Sequence, residues 1–196
     1  MERILIVYGT SQGWTTRIVE RIADVLRGMA MVPTTHRADR IPAGLDLGSF
    51  DGVLVAASVQ FGRHQREVER FATRHAVELT VMPAAFLSVC GALAGSYPRA
   101  REEAAKYREL FAQRTGWRPR LAWSVPGRVA YTRYSLAIRL VMQFISWRTG
   151  RPTDTSRDWE FTDWDEVERL ARTFGGRVRN ARSPARREVA GGVAAP

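Results

Sequence analysis

The stretch from Gly9 to Thr16, Gly-Thr-Ser-Gln-Gly-Trp-Thr-Thr, constrains the fold of this chain more than any other part of the sequence. It follows the apolar run 4–8, and after it apolar residues recur at helical spacing from Ile18 to Met29. Backbone N–H groups and the helix dipole make such a strand–turn–helix junction attractive to a phosphate. The sequence therefore predicts a mononucleotide site at the start of an α/β domain.

The residue types in this loop exclude two common nucleotide sites. No lysine precedes the hydroxyls, so the loop differs from the GxxxxGK-S/T loop of nucleoside triphosphatases. The GxGxxG fingerprint of dinucleotide-binding domains is also missing. A loop of neutral hydroxyls is similar to the phosphate loop of flavodoxins, which holds the monophosphate of FMN. The alternative is an ordinary helix that begins with Ser and Thr capping residues.

Length, composition and charge limit the class of protein. The chain has 196 residues, 45% of them hydrophobic, which suits one α/β domain. Cys90 is the single cysteine, and Met1 leads directly into a predicted strand, so we expect no disulfide, no signal peptide and a cytoplasmic location. The net charge is +10, but no nucleic-acid-binding signature accompanies it, so we expect no nucleic-acid partner. The His and Cys residues lack the spacing of a metal site, so we expect none.

Strand and helix patterns alternate along the chain. The predicted strands are 3–8, 32–37, 53–57, 84–89 and 121–125, and the predicted helices are 15–28, 67–75 and 97–113, with one more after Thr162. This alternation predicts a flavodoxin-like, doubly wound five-stranded parallel sheet with helices on both faces. The loops 10–15, 58–64 and 89–96 then converge at the carboxyl ends of the strands, where such folds bind ligands.

The last helix and the segments around it complete the predicted organisation. Thr162 is expected to cap this helix and Gly175-Gly176 to end it, so we expect a domain over 1–176 and a disordered basic tail over 177–196. A long insert, 126–158, stands near the last strand and contains the apolar stretch Ser135–Trp147 with aromatic and arginine flanks. This pattern indicates peripheral attachment to a membrane surface, and an ordinary core helix is the alternative.

Several motifs together carry a resemblance to a known family. Gly9–Thr16, Trp117-Arg118-Pro119, Thr153-Asp154-Thr155 and Phe161-Thr162-Asp163-Trp164 are similar to those of the flavodoxin-fold, menaquinone-dependent protoporphyrinogen dehydrogenases. The similarity runs from about Ile4 to Phe174. It implies one FMN per chain, oxidation of protoporphyrinogen IX to protoporphyrin IX in haem synthesis, electron transfer to a membrane quinone, and a place on the inner face of the cell membrane. An electron carrier or a quinone reductase with another substrate is the alternative, and a homo-oligomer stays open.

The resemblance also assigns site residues. It implies cofactor contacts from the phosphate loop and from the loops after the third and fourth strands, and Phe61 is a candidate to stack on the flavin ring. Arginines of the insert suit the two propionates of a porphyrinogen, or else form a solvated basic rim. No catalytic acid or base is assigned, and His64 is either an ordinary residue or a proton-transfer group. The implied cofactor residues are Thr10, Ser11, Gln12, Gly13, Trp14, Thr15, Ser58, Val59, Gln60, Phe61, Gly62, Ser88, Val89, Cys90 and Gly91, and the implied substrate residues are Arg128, Arg133 and Arg139.

Overall fold

A parallel sheet of five strands forms the centre of the protein. The computed structural model describes residues 1–94, 98–133, 135–148 and 153–191. The sheet has the order β2-β1-β3-β5-β6. The second strand is added on one side of β1, and all later strands of this order are added on its other side. This is the predicted doubly wound topology, which is confirmed. The strands are β1 Arg3–Gly9, β2 Val32–Arg37, β3 Gly52–Gln60, β5 Ala84–Val89 and β6 Leu121–Val125, and β4, Arg63–His64, pairs antiparallel with β3.

Helices cover both faces of this sheet. They are α1 Trp14–Gly28, α2 Arg66–Arg74, α3 Ala76–Val81, α4 Ala100–Thr115, α5 Leu136–Arg148 and α6 Trp164–Gly191. Alternate residues of β1 pack on opposite faces: Ile4 and Ile6 contact the α1 and α6 side, whereas Leu5 and Val7 contact the α2 and α4 side. Because both faces are buried, the central strands read as continuous apolar runs. The helix that follows the fourth predicted strand was predicted to begin at Tyr97, and this residue lies outside the described residues.

The last helix differs from its prediction at both ends. Thr162 does not cap it: the Asp163 side chain accepts the hydrogen bond of the Glu166 N–H instead, at 3.0 Å. The stop predicted at Gly175-Gly176 is wrong, since α6 continues to Gly191 and buries Val178. Gly175 allows close packing of α6 on α1, because a Cβ there would lie 2.8 Å from Cε of Met29 and would require that side chain to shift. The segment 177–191, predicted to be disordered, is thus helical, and 192–196 lie outside the described residues.

Two short strands hold the two ends of the insert together in a small sheet of their own. Strand β7, Arg128–Val129, pairs antiparallel with β8, Trp159–Glu160, and these two strands bracket the insert helix α5. The Tyr131 hydroxyl is buried and donates a hydrogen bond to Ser146 Oγ on α5, at 2.6 Å. These contacts fix one side of α5 beside the carboxyl ends of the strands.

Candidate functional site

One cavity of about 430 Å³ lies at the carboxyl ends of the strands, where the sequence predicts the loops to converge. Its volume falls in the range typical of cofactor and small-molecule sites. It joins the phosphate loop, the end of β3, the end of β5 and the insert. Its lining residues are Thr10, Ser11, Gln12, Trp14, Thr15, Ser58, Val59, Gln60, Phe61, Val89, Gly91, Gly127, Arg128, Val129 and Met142.

The phosphate loop presents open hydrogen-bond donors to this cavity. Gly13 stands before α1 in the left-handed conformation, at a φ of 79°, which a residue with a side chain adopts only with strain. Thr10 Oγ1 accepts the Gly13 N–H at 2.9 Å and so closes the turn. Among the described residues no side chain caps α1, and its first turn carries no acidic residue. The helix N-terminus is therefore free to bind an anion.

Thr15 supplies the clearest sign of a missing partner. Its side chain is fully buried, and its Oγ1 has no hydrogen-bond partner among the described residues. A buried hydroxyl without a partner costs about 1–3 kcal/mol, so such groups are rare unless a ligand completes them. Thr15 is the second residue of α1, where a bound phosphate would accept its hydrogen bond. The residues present thus fit a phosphate group.

Gln65, which the sequence did not single out, ties two walls of the cavity together. Its Nε2 donates to Ser11 Oγ at 3.0 Å and to Ser58 Oγ at 2.6 Å, so it links the phosphate loop to the end of β3. Gly9 makes room for this contact, because a Cβ there would lie 2.9 Å from Gln65 Oε1 and 2.6 Å from a methyl of Val68. The two serines are far apart in sequence, so no local signal marks Gln65 as their bridge.

A tight hairpin holds Phe61 at the mouth of the cavity. Phe61 and Gly62 connect β3 to β4 and both have positive φ, 48° and 76°. Two such residues form a type I′ turn, which matches the twist of the strands. The Phe61 side chain is 84% exposed although it is aromatic and its backbone is strained. This arrangement leaves an aromatic face available to a planar ligand.

Four predicted cofactor residues do not line the cavity. Gly13 and Gly62 act through their backbone turns, as described above. Ser88 points to the other face of the sheet and lies 2.9 Å from His64 Nε2, because it shares its strand face with the buried Phe86. Cys90 is also buried, in a small cluster with Ala92 and Ala104.

His64 is likewise turned away from the cavity. Its ring is buried between the aromatic rings of Phe86 and Phe111, with centroid distances of 5.2 and 5.3 Å. Burial lowers the pKa of His64 from 6.5 to about 4, so the ring is neutral at pH 7. We therefore assign His64 a packing role, and the proton-transfer alternative finds no support in this geometry.

Trp14 connects the phosphate loop to the insert. Its indole Nε1 donates to Thr162 Oγ1 at 2.9 Å, and the Thr162 hydroxyl in turn donates to the Pro126 carbonyl at 3.0 Å. Trp14 is buried, and the guanidinium carbon of Arg128 lies 4.8 Å from the centre of its ring. The aromatic residue in the phosphate loop is thus explained by its contacts with Arg128 at the start of the insert and with Thr162 just after the insert.

The three arginines predicted to bind substrate occupy different places. Arg128 lines the cavity, and its Nη1 lies 3.5 Å from Asp158 Oδ2. Arg139 does not line the cavity, but it stands on α5 one turn before Met142, which does. Its Nε is buried without a hydrogen-bond partner in the described part of the chain. The side chain of Arg133 lies outside the described residues.

The outer side of α5 is apolar and exposed. Leu140, Val141, Phe144 and Trp147 are all exposed and share one face of the helix. None of the helices within the described ranges is long and apolar enough to span a bilayer. In the same ranges, no group of three or more His, Cys, Asp or Glu residues is placed to hold a metal ion.

Comparison with known proteins decides the family. The model of the flavodoxin domain matches residues 5–156. The chain belongs to the flavodoxin domain family. Solved flavodoxins have the same fold: flavodoxin 1 from Bacillus cereus gives a TM-score of 0.52 at 16% identity, covering 91% of this chain and 97% of that one. A short-chain flavodoxin associated with a bacterial microcompartment gives 0.56 at 13% identity, covering 92% and 99%.

Two enzymes named as dehydrogenases are similar to this flavodoxin-domain chain along most of its length. Protoporphyrinogen IX dehydrogenase (quinone) of Escherichia coli strain K12 is 28% identical over 170 residues, which cover 87% of this chain and 93% of that enzyme. The enzyme of the same name from Leishmania major is 29% identical over 172 residues, covering 88% and 74%. The resemblance that the sequence motifs indicated is confirmed by these matches.

Proposed function

We propose that this protein is an FMN-dependent dehydrogenase that oxidises protoporphyrinogen IX to protoporphyrin IX and uses a membrane quinone as electron acceptor. The observation that carries the proposal is the cavity itself, in which an open phosphate loop meets the apolar insert. Within the described part of the chain, the Thr15 hydroxyl of this loop has no hydrogen-bond partner. The near full-length similarity to enzymes named for this reaction supports the choice of substrate and acceptor.

The cofactor side of the cavity fits FMN. The N–H groups at the start of α1 and the hydroxyls of Thr10 and Thr15 are the donors proposed for its phosphate. Val59–Phe61 and Val89–Gly91 are the segments proposed to border the flavin ring, with Phe61 offering a ring face. When bound, FMN supplies the two-electron redox chemistry that no side chain of the site provides.

The remaining part of the cavity suits an apolar substrate with carboxylates. Val129 and Met142 line its wall on the insert side, and packing a macrocycle against them excludes water from the reacting face. A protoporphyrinogen carries two propionates, for which a guanidinium is the matching partner. Arg139 and Arg133 are the insert arginines proposed for this contact.

The exposed face of α5 is proposed as the attachment surface for the inner face of the cell membrane. Leu140, Val141, Phe144 and Trp147 offer apolar and aromatic groups, while the same helix lines the cavity through Met142. A lipid-soluble quinone would then reach the cavity from the bilayer. The net charge of +10 favours anionic lipid, so the attachment is expected to weaken as salt is added.

An assay with purified protein tests the proposal. The flavin released by denaturation is identified, and porphyrin fluorescence is followed after protoporphyrinogen IX and a quinone are added under exclusion of air. We expect FMN at one per chain and porphyrin formation that needs both protein and quinone. Absence of catalysed porphyrin formation, with flavin reduction by a nicotinamide or by a reductase instead, would favour the quinone reductase or the electron carrier.

A further inference from the structure

Arg128 has a distinctive place in the cavity. Among the described residues that line it, Arg128 is the single charged side chain; the others are apolar or carry neutral hydroxyl and amide groups. An FMN phosphate brings close to two negative charges at neutral pH. The phosphate loop itself contains no cation. Among the described lining residues, Arg128 therefore supplies the formal positive charge that can offset them.

The guanidinium of Arg128 lies beside the phosphate loop. Its central carbon is 4.8 Å from the ring centre of Trp14, the first residue of α1 and the neighbour of Thr15. The preceding residue, Gly127, is also near this ring, since a Cβ built on it would lie in van der Waals contact with the ring, at 3.6 Å. The charge is thus held next to the helix terminus at which an anion would bind.

Hydrogen bonding leaves this guanidinium incompletely satisfied. Asp158 contacts its Nη1 at 3.5 Å, a distance longer than a good charge-assisted hydrogen bond. The Nε is buried and has no hydrogen-bond partner in the described part of the chain, and the side chain is only 18% exposed. A buried donor of this kind is stabilised when an anion accepts from it.

We infer that Arg128 binds the phosphate of the flavin cofactor rather than a carboxylate of the substrate. This inference rests on the proposed function and deepens it, because it divides the insert arginines between two ligands. Arg128 becomes part of the cofactor site and a determinant of specificity for the phosphorylated flavin. Arg139, one helical turn from the cavity residue Met142, and Arg133 are left as the candidates for the substrate carboxylates.

A comparison of FMN with riboflavin, which lacks the phosphate, tests the inference. Apoprotein is titrated with each flavin, and quenching of flavin fluorescence gives the two dissociation constants for wild type, Arg128→Met, Arg128→Lys and Arg17→Met. Methionine keeps an unbranched stem against Trp14 while it removes the charge. Arg17 is the matched control, because its guanidinium also lies over the Trp14 ring, at 5.0 Å, but it does not line the cavity.

If Arg128 binds the phosphate, its replacement should lower the affinity for FMN but not the affinity for riboflavin. Arg128→Met should weaken FMN binding about 10- to 150-fold, the range for a charge-assisted hydrogen bond, and leave riboflavin binding within about twofold of wild type. Arg128→Lys should recover part of the FMN affinity, and Arg17→Met should match wild type. Equal weakening of both flavins, or unchanged FMN affinity with a raised KM for porphyrinogen, would overturn it. If FMN binds normally but porphyrinogen is not a substrate, the proposed reaction fails while this assignment stands.

Discussion

Replacing Thr15 with valine is expected to separate cofactor binding from folding. Valine has nearly the same shape, so the substitution removes the hydroxyl and little else. In the folded protein this hydroxyl is buried without a partner among the described residues, so its loss should leave the stability of the apoprotein unchanged or slightly raised. In the complex it would donate to a charged phosphate. Losing such a bond costs about 1.5–3 kcal/mol, which corresponds to roughly 10- to 150-fold weaker FMN binding.

Two measurements on the same samples check this expectation. Thermal unfolding of the apoprotein reports folding, and titration with FMN reports binding; the stabilisation by excess FMN should shrink as the affinity falls. Thr115→Val is the matched control, because Thr115 is equally buried but donates to the Phe111 carbonyl at 2.9 Å and lies on α4, outside the cavity lining. It should lose stability and bind FMN normally after correction for folding. Destabilised Thr15→Val apoprotein with unchanged FMN affinity would refute the reasoning.

Other parts of the structure give further expectations. Because burial lowers the pKa of His64 to about 4, the unfolded chain binds a proton that the folded chain does not, so stability should fall by about 3 kcal/mol as pH drops from 6.5 towards 4. His64→Gln should remove this part of the pH dependence in urea unfolding curves, and an equally steep profile would contradict it. Serine at both Phe144 and Trp147 should reduce sedimentation with anionic liposomes several-fold without changing FMN affinity, and unchanged sedimentation would exclude α5 as the attachment surface. Phe61→Gly should relieve the strained φ of 48° and raise apoprotein stability by about 1 kcal/mol, while it lowers flavin affinity if the ring stacks; a destabilised apoprotein would argue against strain at this turn.

Strand and helix positions could be predicted from the sequence because their signals are local. The apolar runs of β1 and β5 and the helical periodicity of α1 depend on residues within one element, and these elements occur where predicted. The signal at Gly175 is also local but was misleading. Glycine usually marks a helix end, yet here it permits contact with Met29, a residue remote in sequence that no periodicity reveals.

The outline of the candidate site was predictable, but the side-chain orientation within it was not fully so. Alternation along β5 places Ser88 on the same face as Phe86, a signal that was available in the sequence and would have directed it away from the cavity. Gln65 and Thr162 are different cases. Their partners come from loops brought together only by the complete fold, so their roles as connections between the cavity walls required the structure.

Two half-reactions followed on the FMN-loaded protein test the central claim most directly. Protoporphyrinogen IX is mixed with the protein under anaerobic conditions while the visible absorbance of the flavin is recorded, and a menaquinone is added after the absorbance has settled. We predict that the oxidised flavin spectrum bleaches as porphyrin forms, and that it returns when the quinone is added. A flavin that stays oxidised in the presence of protoporphyrinogen IX, yet is bleached by a nicotinamide or a reductase, would contradict the proposed function.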